Sequence, residues 1–388
     1  MSWHPGSYKG KRRRLLAAAL AGLLAAGSLA GCANAREEQT RVKIALVTRE
    51  DMGYNVARYE KGMEMALAEY DGPYQFAVEV YADTQDYEEA VAQLTQLAED
   101  PSVAAVVTIQ DYEVIDAGAQ IMEEHGKAFF AVQGYYAKTA RRGYETFFPF
   151  CLDMEHLGYA MGLYAGGMGG KRVGVLRSDT EFERGEAVAF EQGALLSGAQ
   201  TASSLSESFT QEQFWNELEL WENMGVDTVY VPYYSSDWAT EILEIIQEQL
   251  PEAQLLASFT IGGDLTVERL GNLEGLVIPA FYPIDQTEEY QAWAEEYQAR
   301  YGEAPENEAA QAYDLANLIL AQYDGDPATL SGNIRAHAEE AESIAGNILV
   351  DLLTGLPEIT YDTATVYDYE YLVAQDGKFV HTEGPALE

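Results

Sequence analysis

The chain reads as an α/β protein of two lobes, each built on a largely parallel sheet, and three observations lead there. Apolar runs of strand length alternate with segments whose apolar residues recur at helical spacing. The alternation runs from Val42 to Val132 and restarts after Cys151. Two series of similar length suit two lobes better than one long sheet.

The first series opens with a buried strand at Val42–Val47, followed by a helix carrying Val56, Tyr59, Met63, Ala66, Leu67 and Tyr70 on one face. Phe76–Tyr81 is strand-like, and Tyr87, Ala90, Val91, Leu94 and Leu97 mark the next helix. Val103–Thr108 is a third strand, Ile115, Gly118, Ile121 and Met122 a third helix, and Phe129–Val132 a fourth strand. Right-handed crossovers between such strands give a parallel sheet.

The second series begins with a helix face at Leu157, Ala160, Met161 and Tyr164 and a glycine-rich turn at Gly166–Gly170. Strands at Arg172–Leu176, Thr201–Leu205, Thr228–Val231, Gln254–Ser258 and Leu276–Ala280 then alternate with helices at Gly185–Leu196, Gln211–Met224 and Trp238–Leu250. Two helices follow without a strand between them, one faced by Tyr290, Trp293, Tyr297 and Tyr301, the other by Ala309, Ala312, Tyr313, Ala316 and Leu320. Pro357–Val380 reads as a β-hairpin turning at Gln375–Asp376–Gly377.

The amino terminus is of another kind. Lys9, Lys11 and Arg12–Arg14 precede an apolar stretch at Leu15–Ala26, and Leu29–Ala30–Gly31–Cys32 closes it with small residues. This order marks a secretory signal, and it resembles the lipobox of bacterial lipoproteins, which implies that Cys32 is lipidated and begins the mature chain. Residues 1–31 are then the signal peptide and 32–40 a tether. Leu15–Ala30 is shorter than the roughly 20 apolar residues that span a bilayer, which disfavours a transmembrane anchor.

Removing residues 1–31 takes away five cations and no acid, so a formal charge of −41 becomes −46. Such a surface repels nucleic acid and anionic membrane, so the lipid must hold the protein at the membrane. A disordered acidic chain is excluded by a hydrophobic content of 47%. No calcium-loop motif appears among the acids. With Cys32 carrying lipid, Cys151 has no disulfide partner, and its apolar surroundings, Phe147–Leu152, suit a buried inert thiol.

Catalytic signatures are missing. There is no G-x-S-x-G elbow, H-E-x-x-H pair or Walker loop, and the five histidines lack ligand spacing. Gly166–Gly170 precedes a strand, so it suits a helix-to-strand turn better than a phosphate cradle. No enzyme activity, metal or cofactor is expected.

Tyr297–Gln–Ala–Arg–Tyr–Gly–Glu–Ala–Pro305, continuing to Ala309–Ala–Gln–Ala–Tyr–Asp–Leu315, resembles a segment of the type I periplasmic binding proteins of the leucine/isoleucine/valine-binding group. Leu315 stands where that family has alanine. Ala82–Asp83, Arg172–Leu176 followed by Asp179, and the closing Asp376–Val380 agree in order, so the likeness covers nearly all of residues 42–380. The resemblance implies two Rossmann-like lobes joined by a three-crossing hinge and closing on a small solute. Lobe 1 would be residues 41–150 plus 286–354, and lobe 2 residues 151–285 plus 355–388. The crossings would fall near Phe150–Met154, Phe281–Asp285 and Gly355–Glu358. The resemblance also implies an ABC permease as partner, a place on the extracytoplasmic face of the membrane, and a monomer. A ligand-sensing receptor subunit of the same fold is the alternative.

In open parallel sheets the ligand cleft is lined by loops at the carboxyl ends of strands. Those loops carry Tyr54, Gln110, Asp111, Tyr112, Gln133 and Tyr135 from the first series, and Phe182, Tyr233, Tyr234 and Asp264 from the second, with Tyr282 at a crossing. Tyrosine offers an apolar face and a hydroxyl, which suits a small organic solute, although a chain with 26 tyrosines also places some in loops by chance. Where amino-acid binders of the family use serine and threonine hydroxyls for a carboxylate, this chain has Asp111–Tyr112 and Gly134–Tyr135. Asp111 would repel a carboxylate and either accepts a ligand N–H or hydroxyl or caps the helix that follows it. Asp83 and Asp314 read as structural, a cap and a helix-surface group.

Overall fold

The computed structural model describes residues 41–83, 86–135, 137–151, 154–177, 181–206, 208–232, 237–261, 267–279, 288–337, 344, 371–382 and 384. The signal segment, Cys32 and the tether lie outside the described residues, as do the second and third expected crossings.

The first sheet contains β1 (Val42–Arg49), β2 (Phe76–Asp83), β3 (Val103–Ile109), β4 (Ala128–Ala131) and β5 (Phe147–Pro149) in the order β2-β1-β3-β4-β5, every pair parallel. The run Ile44–Val47 is wholly buried because its side chains alternate between two covered faces. Ile44 and Leu46 enter the cluster formed with Val56, Tyr59 and Met63 of α1 (Gly53–Glu69). Ala45 and Val47 enter the opposite cluster, with Leu94 of α2 (Tyr87–Glu99) and Ile115 and Met122 of α3 (Tyr112–His125). A short helix α4 (Ala137–Ala140) precedes β5. Strand β5 is new relative to the sequence reading, because three residues are too few to show a period.

The second sheet is ordered β12-β11-β10-β9-β8-β6-β7. Five strands come from the second series: β6 (Arg172–Arg177), β7 (Gln200–Ser206), β8 (Thr228–Val231), β9 (Gln254–Ala257) and β10 (Val277–Pro279). Helices α5 (Met154–Gly167) and α6 (Glu181–Leu196) cover one face, while α7 (Gln211–Met224) and α8 (Asp237–Gln249) cover the other. Thr210 caps α7, accepting the Gln213 amide while the Gln213 side chain accepts the Thr210 amide. A one-turn helix α9 (Val267–Gly271) precedes β10.

Three helices follow: α10 (Glu288–Tyr301), α11 (Asn307–Gln322) and α12 (Pro327–His337). They return to the first sheet, where Leu315, Ile319, Leu330 and Ile334 join the α1 cluster. Helix α12 escaped the sequence reading; Pro327 sits at its first position, where a missing N–H costs nothing. The chain then rejoins the second sheet as β11 (Tyr371–Gln375) and β12 (Lys378–Thr382), an antiparallel hairpin added to β10. Its turn has φ of 53° at Asp376 and 73° at Gly377, the left-handed pair that an Asp-Gly hairpin adopts. The chain thus passes between the two sheets three times, and two mostly parallel sheets form two lobes.

Two structural expectations are corrected. Asp83 ends β2 opposite Arg49, and the cap of α2 is Asp86, which accepts the Glu88 and Glu89 amides. Asp314 is buried, and it accepts the Ile344 amide at 2.9 Å. Cys151 is buried, as its apolar neighbours predict. Among the described residues no helix is long and apolar enough to cross a membrane.

Candidate functional site

Strands β1, β3 and β4 are neighbours, so their carboxyl ends deliver Arg49, Gln110–Tyr112 and Gln133–Tyr135 to one rim of the first sheet. Arg49 organises this rim. Its Nε and Nη2 donate to the two carboxylate oxygens of Asp51 at 3.0 and 2.6 Å, and Nη1 donates to Asp111 Oδ1 at 2.6 Å. The Arg49 guanidinium holds the Asp51 carboxyl below its ordinary range, while the two carboxylates push the arginine up. One cation thus serves two carboxylates that are 43% and 57% exposed, which leaves the rim with surplus negative charge. Such a surface favours an ammonium or a neutral N–H or O–H donor and opposes a carboxylate at that spot.

Asp111 does not take the capping role in the structure. It stands at the N-cap position of α3 with extended backbone, yet its side chain makes no capping bond and reaches Arg49 instead. An ion pair with a guanidinium outcompetes a neutral amide donor. Arg49 belongs to the first cleft loop, but nothing in the sequence connects it with Asp111, 62 residues away.

Tyr112 and Gly134 are also brought together. A Cβ on Gly134 would overlap the Tyr112 phenol, so the glycine is what lets the ring cross the end of β4. Tyr135 turns inward, edge-on to Phe147 with centroids 6.0 Å apart, and together with Tyr112 packs on the α2–α3 cluster. Gln110 and Gln133 are half-buried, and the Gln133 side chain hydrogen-bonds the Tyr59 hydroxyl.

The other expected residues give less. Tyr54 lies in the first turn of α1 and Phe182 in the first turn of α6, their side chains undescribed. Tyr233, Tyr234, Asp264 and Tyr282 lie outside the described residues. On the second sheet the described rim includes Arg177, ending β6 and paired with Glu191, and Trp238, which stacks on Phe209 at 5.8 Å and is 40% exposed. The sequence reading assigns neither to the rim, giving Trp238 only as the start of a helix. Among the described residues no cluster of three or more His, Cys, Asp or Glu could hold a metal.

Residues 42–323 match the family model for periplasmic binding proteins, and the chain belongs to that family. Its members are solute-binding proteins that work outside the cytoplasm, and they are not enzymes. Among curated proteins nothing matches. Solved structures share the fold at low identity. A putative branched-chain amino acid ABC transporter from Rhodospirillum rubrum is 15% identical over 88% of this chain and 100% of its own, with a TM-score of 0.72. An ABC transporter substrate-binding protein from Desulfitobacterium hafniense in complex with Leu is 19% identical over 88% and 100%, at 0.74. A solute-binding protein from R. palustris in complex with benzoate is 16% identical over 89% and 97%, at 0.68.

Proposed function

We propose that this protein is a lipid-anchored, extracytoplasmic solute-binding protein that captures a small polar or amphipathic solute, an amino acid or a related compound, between its lobes and delivers it to an ABC permease. Residues 1–31 act as signal peptide, Cys32 carries the lipid and 32–40 form the tether. Residues 41–150 plus 286–354 make lobe 1, residues 151–285 plus 355–388 make lobe 2, and the protein works as a monomer. The observation that carries this reading is the convergence of Arg49, Asp111, Tyr112 and Gly134 on one rim of a family fold whose chain passes three times between two sheets. Three connections permit a hinge, and a solute touching both lobes favours the closed state by its differential contacts.

The site cavity would take its second wall from the loops carrying Phe182, Tyr233, Tyr234, Asp264 and Tyr282. Relatives of this fold hold leucine or benzoate, both carboxylates. The Arg49–Asp111 pair favours instead a solute that offers its ammonium, amide or hydroxyl to lobe 1. A thermal-shift panel of amino acids, amides, amines, nucleosides and sugars on the purified protein tests this. A true ligand at 100 times its dissociation constant stabilises by about 2.7 kcal/mol, and a panel with no shift but with hydrolytic turnover overturns the reading. The anchor is tested by Cys32→Ala, expected to leave the protein unprocessed or released; mature protein retained at the membrane refutes lipidation.

A further inference from the structure

Gln311 of α11 is fully buried. Its side-chain nitrogen donates to two main-chain carbonyls, that of Val132 at 3.1 Å and that of Phe150. These carbonyls sit where two neighbouring strands part. Strands β4 and β5 are paired as far as Ala131 and Pro149, and the Phe150 amide still donates to Ala131 at 2.8 Å. Beyond that point one segment becomes Gln133–Gly134–Tyr135 and the other leaves for the second sheet. Carbonyls that have left a ladder while still buried need donors, and one amide group supplies both.

Tyr59 of α1 completes the arrangement. Its hydroxyl lies 2.8 Å from Gln311 Oε1 and 3.2 Å from the Val132 carbonyl, and it is bonded by the Gln133 side chain. The orientation of the Gln311 amide follows from these partners: nitrogen towards two carbonyls, oxygen towards a hydroxyl. Burial pushes the Tyr59 phenol well up, so it stays a donor at any physiological pH. A residue needed only for volume would be apolar here, since the surrounding α1–α11 cluster is apolar.

We propose that Gln311, seated by Tyr59, is a positioning residue for ligand binding: it pins the fork between β4 and β5 and so sets both the cleft-lining loop 133–135 and the root of the first interlobe crossing. The inference rests on the reading of residues 133–135 as cleft lining. Loop and crossing root then move as one body with lobe 1, and hinge rotation begins after Phe150.

Hydrogen exchange on the purified protein tests it without a known ligand. Gln311→Leu keeps volume, removes the side-chain donor to the Phe150 carbonyl and leaves the Val132 carbonyl only the Tyr59 hydroxyl. Exchange is expected to quicken about tenfold in peptides covering 131–135 and 148–151, while peptides of the second sheet keep their rates. Gln311→Glu, which faces the carbonyls with acceptors, is expected to do the same. Leu318→Ala, a buried change on the same helix, should lower the melting temperature without that local pattern. Acceleration spread evenly over the first lobe in Gln311→Leu, or none at all, overturns the inference. Should Gln311→Leu not fold, Tyr59→Phe removes the seating hydroxyl and leaves the amide fork, and the same two peptides must still respond above the rest. Failure of the solute-binding reading looks different, as an absence of thermal shift from any panel compound on the unsubstituted protein, with the exchange pattern intact.

Discussion

Two helix pairs occupy corresponding places in the lobes and are held together by different means. In the second lobe α5 and α6 pack backbone against backbone. Gly158, Gly162 and Gly166 recur every fourth residue on α5, and a Cβ on each would overlap Glu186, Phe190 and Ser197 respectively. Gly193 of α6 answers against the Tyr159 carbonyl, and Ser197 Oγ donates to the Gly162 carbonyl at 3.0 Å. In the first lobe α1 meets α11 closely through one glycine, Gly62 against Ala309, and otherwise through side chains around the buried Tyr59–Gln311 pair. The partners in the second lobe are separated by a single strand, whereas those in the first lobe are almost 250 residues apart in the chain. The comparison teaches that close backbone approach over small residues, with a serine hydroxyl bonding across it, dominates where neighbours are local. Where a helix arrives from far along the chain, a buried polar contact adds the specificity of docking that shape does not.

The sharpest way to break this comparison is to add one carbon to each pair. Gly162→Ala places its methyl among main-chain atoms of Phe190, Gly193 and Ala194, and is expected to cost about 3 kcal/mol. Gly62→Ala meets main-chain atoms of Ala309 alone, with the Ala312 Cβ beside them, and is expected to cost about 2 kcal/mol. Urea unfolding followed by tryptophan fluorescence measures both, since Trp215, Trp221 and Trp238 report the second lobe and Trp293 the first. A larger loss at Gly62 reverses the conclusion that the second lobe depends more on close approach.

The next effect falls on the first lobe's rim. Tyr112→Ala is expected to weaken binding of whichever panel compound stabilises the protein by about tenfold, with little change in melting temperature because the side chain is only half-buried. Gly134→Ala should produce the same loss by displacing the ring. Unchanged affinity in both variants removes Tyr112 from the site.

The smallest effect is electrostatic. Asp100 accepts the Ser102 amide at 2.8 Å and the Ser102 hydroxyl at 2.6 Å, with Lys43 at 3.4 Å, and Ser102 above all holds its carboxyl below the ordinary value of 3.8. A carboxyl depressed in the folded state contributes stability that is complete above its unfolded value and is lost as pH falls through the folded one. The first lobe should therefore lose stability below about pH 4, and Asp100→Asn should flatten that limb of the profile. A steeper acid limb in the variant contradicts the assignment.

The alternation of apolar runs revealed most of the fold because burial on both faces of a sheet leaves a continuous signal, as in Ile44–Val47. Three-residue β5 carried no period, and α12 has a short and mixed pattern. Part of the candidate site was legible for the same reason: strand ends can be located, so Gln110–Tyr112 and Gln133–Tyr135 were named as rim residues. Arg49 falls on a rim loop by the same reasoning, but its pairing with Asp111 and the role of Gln311 are not legible, since each meets its partner only through contacts between distant segments.

The sequence by itself determined which segments are strands and helices, that they form two α/β lobes, and which loops lie at the carboxyl ends of strands. These follow from short-range periodicity and chain connectivity. It also determined the family, through motifs spread along nearly the whole chain. Only the tertiary structure decided that Asp111 binds Arg49 instead of capping α3, that Tyr112 crosses Gly134, and that Gln311 ties two strand ends together. Those outcomes depend on charge pairing and backbone satisfaction between residues that folding alone brings within 3 Å or so.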